Sequence, residues 1–275
     1  MLFSFFTAYL HPKKIVVTFS VIEALTKEII KGSQEFSVHS IIKSTDDPHD
    51  APITPKEYVL LQNADILIEN GLGLEPWLEH MIANTKFKKT RILASAGVVP
   101  MRFIKNPDVF DPHAWHNLKY AKTYVKNIAD VLIKEDPKRA HLYKKNRDQY
   151  LERLEQLHKK IKLLFQGLKN RNVITTHDAF WYFGKEYGIA FWSPLGISTA
   201  EEPSSFALAK LVRYIRKHNI KGAFFEAHTN NTLVQKIIQE TKIKQGGVLY
   251  SDSLKNGDFI ETIHHNAHTI YALLK

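Results

Sequence analysis

The segment that most constrains this chain begins at Asp136-Pro137. From there Tyr150, Leu154, Leu157, Ile161 and Leu164 recur in a four-three rhythm among Lys, Arg, Glu and Gln residues. That spacing lays one apolar stripe along a helix and leaves the opposite face charged. A helix over residues 137–168 would run for roughly 48 Å at 1.5 Å per residue. One small lobe has no use for such a span, so the segment reads as a rigid rod between two lobes. A dimerising coiled-coil arm is the alternative, but the apolar seam lasts only about two heptads.

Both flanks of the rod show the same grammar. Before it, residues 14–19, 36–42, 64–69 and 91–94 read as short strands, with helical stretches at 21–31, after Pro55, after Pro76 and over 117–134. Thr54 can cap the second of these helices, Pro55 suits its first position, and Glu57 completes a capping box. After the rod, strands at 172–175, 189–192, 222–226 and 247–250 alternate with helices from Pro203-Ser204 to about 218, over 232–240 and over 259–274. Such alternation argues for mainly parallel sheets covered by helices. The expected architecture is α/β: two Rossmann-like lobes, 14–136 and 169–275, joined by a long rigid helix, 137–168.

The chain of 275 residues contains no cysteine. Disulfides, thiolate metal sites and a cysteine nucleophile are therefore excluded, and a metal would have to use His, Asp or Glu. The net charge of +10 would permit an acidic partner. The lysines are spread over many helices as on solvated faces, so no nucleic-acid role is expected. No run of eighteen apolar residues marks a membrane span. The first ten residues are apolar and aromatic, but they lack a basic start and a small-residue cleavage site, so a leader is poorly formed.

Three short motifs each set a histidine beside acidic residues at a strand end or loop: Asp47-Pro48-His49-Asp50, Asp111-Pro112-His113-Ala114-Trp115 and Thr176-His177-Asp178-Ala179-Phe180. A fourth strand end carries Asp252. In open α/β sheets ligands bind beyond the carboxyl ends of strands. His49, His113, His177 and Asp252 are thus the candidate metal ligands, two from each lobe, with the ion in the inter-lobe cleft. Their spacing matches no local metal motif. Any one of the 14 histidines is more often a surface or hydrogen-bonded side chain than a ligand. Glu226 and His228, which also follow a strand, compete for the same role. Asp50 and Asp178 are candidates to orient a neighbouring imidazole, although Asp178 could instead cap the next helix.

Three imidazoles and one carboxylate suit Zn²⁺ and would fill a tetrahedron. A filled shell leaves no place for an activated water, which favours capture and release over hydrolysis. A metal-dependent hydrolase with an open three-His site is the rival reading. A surface adhesin or nucleic-acid binder is a third, and the scattered charge argues against it.

The stretch Asn70-Gly71-Leu72-Gly73-Leu74-Glu75-Pro76-Trp77, the two later histidine motifs and Tyr250-Ser251-Asp252-Ser253-Leu254 together resemble the zinc/manganese substrate-binding proteins of bacterial ABC importers. The similarity runs in order over nearly all of residues 14–275. It implies two lobes, a linking helix, and a metal held by the residues matching His49, His113, His177 and Asp252. It also implies a periplasmic protein, a membrane ABC permease as partner, no catalysis, and a monomer. Manganese-type members typically carry Glu where this chain has His177, so the third imidazole favours Zn²⁺ over Mn²⁺. Zinc-type members often carry a His-rich loop in the first lobe, and residues 82–110 show none.

Overall fold

The computed structural model describes residues 11–103, 106–198 and 204–275. The apolar opening residues and Pro203, the expected helix opener, lie outside them.

The first lobe is built on a parallel sheet of β1 (Lys13–Val17), β2 (Phe36–Ser40), β3 (Ile66–Glu69) and β4 (Thr90–Leu93), in the spatial order β2-β1-β3-β4. Ile15, Val16 and Val17 pair with Ile66, Leu67 and Ile68, and all six side chains are fully buried. A central parallel strand covered on both faces needs such an unbroken β-branched or aliphatic run. Helices α1 (Ser20–Ile30), α2 (Pro55–Gln62) and α3 (Leu78–Thr85) connect the strands. The α2 start follows the expected capping box: Glu57 accepts the Thr54 backbone N–H at 3.0 Å. A small antiparallel pair, β5 (Arg102–Phe103) and β6 (Asn106–Phe110), follows β4 and was not anticipated.

The second lobe holds β7 (Asn172–Ile174), β8 (Ala190–Trp192), β9 (Gly222–Glu226) and β10 (Lys244–Leu249), again parallel, in the order β10-β9-β7-β8. Read from the other edge, the second sheet repeats the order of the first, with β8, β7, β9 and β10 in the places of β2, β1, β3 and β4. Helices α6 (Trp181–Tyr187), α7 (Ser205–Lys217), α8 (Thr232–Thr241) and α9 (Phe259–Leu274) accompany it. A small core of Ile174, Ile215, Ile220, Ala223, Val234 and Ile237 lies under this sheet. The main core is much larger and runs from the first sheet to Phe183 and Ile270.

Two long helices occupy the middle of the chain, and the second of them joins the halves. Helix α4 spans Leu118–Glu135 and α5 spans Ala140–Leu164. The expected single rod from 137 to 168 is shorter than predicted. Pro137–Arg139 forms a separate 3-10 turn, and the chain leaves the helix at Phe165, two residues before Gly167 turns left-handed at φ 80°. The 25 residues of α5 still extend for roughly 38 Å. The start of the helix is fastened to the first lobe, where Asn146 donates to the carbonyls of Ile29 and Lys31. The other end is fastened to the second, where His158 Nδ1 lies 2.9 Å from the Tyr187 hydroxyl. Its apolar stripe, Tyr143, Tyr150, Leu154, Leu157 and Ile161, is buried in the core shared by both lobes, not offered to a second chain.

Candidate metal centre

The tripeptide Asp-Pro-His occurs twice, and both copies fold alike. Asp47 Oδ1 accepts the His49 backbone N–H at 2.8 Å, and Asp111 Oδ1 accepts that of His113 at 2.9 Å. A short side chain bonding the backbone two residues on is an Asx turn, and the intervening proline stiffens it. Asp111 Oδ1 also meets His113 Nδ1 at 2.8 Å. The carboxylate can only accept, so Nδ1 carries a proton and Nε2 is the nitrogen left to face a ligand once its own proton is lost.

The turn after β3 holds both of these loops from behind. Asn70 Nδ2 donates to the Pro112 carbonyl at 3.1 Å, and Trp77 Nε1 donates to the Pro48 carbonyl at 2.9 Å. Each contact falls on the residue before a histidine. The turn itself runs left-handed through Gly71, Leu72 and Gly73, at φ 81°, 56° and 85°. Glycine adopts such angles freely, whereas Leu72 must be held there. Glu75 does much of the holding, accepting from Asn70 N, Gly71 N and Thr18 Oγ1 at 2.7, 3.1 and 2.7 Å. Burial pushes the Glu75 carboxyl up to about 7, against the pull of these hydrogen bonds.

In the second lobe the candidate residues sit closer to the strands. His177 follows β7 and Asp252 follows β10. Glu226, at the end of β9, accepts the backbone N–H groups of Thr176 and His177 with Oε1 at 2.6 and 3.1 Å. Its Oε2 lies 2.6 Å from His177 Nδ1. Glu226 therefore stands behind His177 and does not compete with it for the cluster. His228 is exposed and does not join the cluster.

The four residues His49, His113, His177 and Asp252 come together, with one donor atom from each lying within 4.8 Å of the others. The Nε2 atoms of His49 and His113 are 3.1 Å apart. Asp252 Oδ1 is 3.3 Å from His113 Nε2, and Oδ2 is 3.1 Å from His177 Nε2. The edge of a tetrahedron with zinc–nitrogen bonds is roughly 3.3 Å. The His49 Nε2 to Asp252 Oδ1 separation is longer, at 4.0 Å. His177 Nε2 and Asp252 Oδ1 are buried without a hydrogen-bond partner.

Charge makes the arrangement more telling. Asp111 and Glu226 are each 1% exposed, and the Asp252 side chain is 12% exposed. Among the described residues no Lys or Arg pairs with any of the three, whose ionic contacts are all to cluster histidines. Buried carboxylates without a cation are costly. The protein's own response is to protonate imidazoles. Burial alone would lower His113, but Asp252 and Asp111 outweigh it and hold the ring at about 9. Against the same effect of burial, Glu226 and Asp252 hold His177 well above its ordinary value. Asp252, which burial would raise, is drawn well below the carboxylate range by His177 and His113. His49 moves the other way, to about 4, through burial and then the charge of His113.

The structure places the two acids expected to orient imidazoles, Asp50 and Asp178, as follows. Asp50 is exposed, and it is Asp47 that accepts the His49 backbone N–H. Asp178 accepts from the Ser193 hydroxyl, and α6 begins only at Trp181, with Phe180 at its cap position. The repeated Asp-Pro-His was the available signal for Asp47 and Asp111. Nothing local in the sequence pairs Glu226 with His177.

The profile of the family described as ZnuA, zinc-uptake complex component A, periplasmic, matches residues 15–273. The chain is 30% identical to the high-affinity zinc uptake system protein ZnuA of Bacillus subtilis, over 84% of this chain and 76% of that protein. It is 29% identical to the manganese ABC transporter substrate-binding lipoprotein PsaA of Streptococcus anginosus, over 89% and 83%. The structure superposes on the periplasmic zinc-binding protein TroA of Treponema pallidum with a TM-score of 0.89, at 25% identity, covering 96% of this chain and 99% of that one. The shared two-lobe fold with its long helix, the convergent donors and the match over almost the whole sequence lead to one conclusion: this chain belongs to the ZnuA family of metal-binding, substrate-binding proteins of ABC importers, which are not enzymes.

Proposed function

We propose that this protein captures Zn²⁺ in the periplasm, holds it between its two lobes with His49, His113, His177 and Asp252, and delivers it to a membrane ABC permease. The observation that carries this reading is the buried cluster of three imidazole nitrogens and one carboxylate, backed by two further carboxylates and by no lysine or arginine among the described residues. A divalent cation neutralises that set in place of the protons that the imidazoles otherwise take up. In this reading residues 14–136 and 169–275 act as two jaws and 137–168 as the spacer between them, in a monomer. Because the spacer is fastened at both ends, release follows from small lobe shifts and loop movement and not from a wide hinge.

Zinc is favoured over manganese by ligand type, since imidazole suits zinc while manganese prefers oxygen. Relatives carry both metals in their names. Asp252 presents both of its oxygens to the imidazoles, which allows a fifth bond. The deciding experiment is elemental analysis of untagged protein purified without chelator, followed by competition between Zn²⁺ and Mn²⁺ at equal free concentration. Zinc at one equivalent, undisplaced by manganese, supports the proposal. Preferential retention of manganese, or no bound metal under any loading condition, overturns it.

A further inference from the structure

Ser251 precedes Asp252, and its carbonyl oxygen receives two side-chain N–H groups from the other lobe. Trp115 Nε1 donates to it at 3.3 Å and His116 Nε2 at 3.0 Å. Both donors belong to the 3-10 turn Ala114–His116, which begins on the residue after His113. One short turn thus carries a cluster histidine of the first lobe and grips the neighbour of the cluster carboxylate of the second. All three of Trp115, His116 and Ser251 are at most 2% exposed.

The chemistry of His116 shows what this contact is for. A carbonyl only accepts, so His116 carries its proton on Nε2 and leaves Nδ1 bare. That Nδ1 is buried and has no hydrogen-bond partner. The ring lies between Trp115 and Phe180, with centroids 5.5 and 4.7 Å away. An apolar side chain would fill this space without stranding a nitrogen. The use of an imidazole here lies in its Nε2.

We propose that Trp115 and His116 form a latch on the Ser251 carbonyl, closing one lobe on the other so that Asp252 stays against the three imidazoles and the bound cation leaves slowly. The latch rests on the four-residue metal site proposed above. Neither ring supplies an atom to the four-donor cluster. Both act through Asp252 and are positioning residues. Separation of the lobes must break both bonds, which makes the latch part of the barrier to release.

The test uses the full chain loaded with Zn²⁺, its dissociation followed by stopped-flow transfer to a chromogenic chelator, and the visible spectrum of the Co²⁺ form as a report on ligand geometry. One neutral hydrogen bond corresponds to about a fivefold change in rate. His116→Leu is expected to release zinc about fivefold faster and to alter the Co²⁺ spectrum. Trp115→Phe does the same, and the double variant exceeds either. His116→Gln, which restores an N–H donor, returns both readouts towards those of the unaltered protein. Release at the unaltered rate with an unchanged spectrum in both His116→Leu and Trp115→Phe overturns the latch. So does a His116→Gln variant that melts normally yet releases as fast as His116→Leu, which covers the case in which leucine merely loosens the fold. Failure of the unaltered protein to bind one equivalent of Zn²⁺, measured first, overturns the site itself and the latch with it.

Discussion

The two lobes share one strand order and yet contribute to the centre in different ways. In the first, His49 and His113 stand on loops away from the sheet, steadied by aspartates two residues earlier and by Asn70 and Trp77 from a common turn. In the second, His177 and Asp252 follow their strands closely, and Glu226 reaches across from the neighbouring strand to His177. The first lobe gains precision from local turns, whereas the second gains it from sheet register. A shared topology therefore fixes where donors can be placed, not how they are aimed. The second lobe also supplies the more open side: Asp252 borders a small recess lined by Asp46, Asp47 and His228.

The comparison can be broken or sharpened by experiments of decreasing effect. Removal of one donor from either lobe should be the most damaging. His113→Ala and His177→Ala should each weaken zinc binding by at least about a hundredfold in chelator competition, since a structural zinc site shares its binding energy among only four ligands. A variant with unimpaired affinity would remove that residue from the site. Next comes pH. The imidazole of His113 must lose its proton to bind metal, and its value of about 9 means that affinity should fall at least about tenfold per pH unit on descending from 9, and more steeply where His177 is protonated as well. The sign for folding is opposite. In the metal-free protein the raised value stabilises the fold below the unfolded value near 6.5, and this contribution is lost as pH rises through about 9. Chelator-treated protein should then melt lower at pH 9.5 than at 6.5 by calorimetry, and an unchanged melting temperature would refute the charge assignment.

Glu226→Gln should cost about ten- to a hundredfold in zinc affinity, the range for a carboxylate that orients a metal-bound histidine. Asp111→Asn tests whether the local arrangement of the first lobe is equally demanding, and equal losses would erase the contrast between turn and register. Trp77→Phe removes only the donor to Pro48 and should weaken affinity about fivefold. At the bottom of the scale, Asp50→Asn should leave affinity unchanged and stability within about 0.5 kcal/mol. A larger effect would restore Asp50 to the role now given to Asp47.

Much of the fold was legible in the sequence because buried strands and amphipathic helices leave different periods. The runs around Ile15-Val16-Val17 and Ile66-Leu67-Ile68 could be read as central strands, and Thr54 with Glu57 marked a helix start. The length of the rod was less legible. Helical spacing continues through Pro137 and Leu168, but it does not show that the first turn is 3-10 or that the chain turns left-handed at Gly167. The β5–β6 pair escaped notice because its strands are short and carry no clear alternation. Around the cluster, the residue types that gather could be named from strand ends. Which acid faces which ring could not, because Asp50 and Asp178 neighbour histidines in sequence while the partners in space are Asp111 and Glu226.

The pinning of α5 at Asn146 and His158 bears on the cargo. In the proposed reading, a spacer secured to both jaws limits how far they can part, so the protein grips more as a caliper than as a trap. Four donor atoms held this close leave no room for a chelated complex or a hydrated ion. On the proposed site, a cation would have to shed its escort and its water to be seated, and that stripping would become part of what the importer selects.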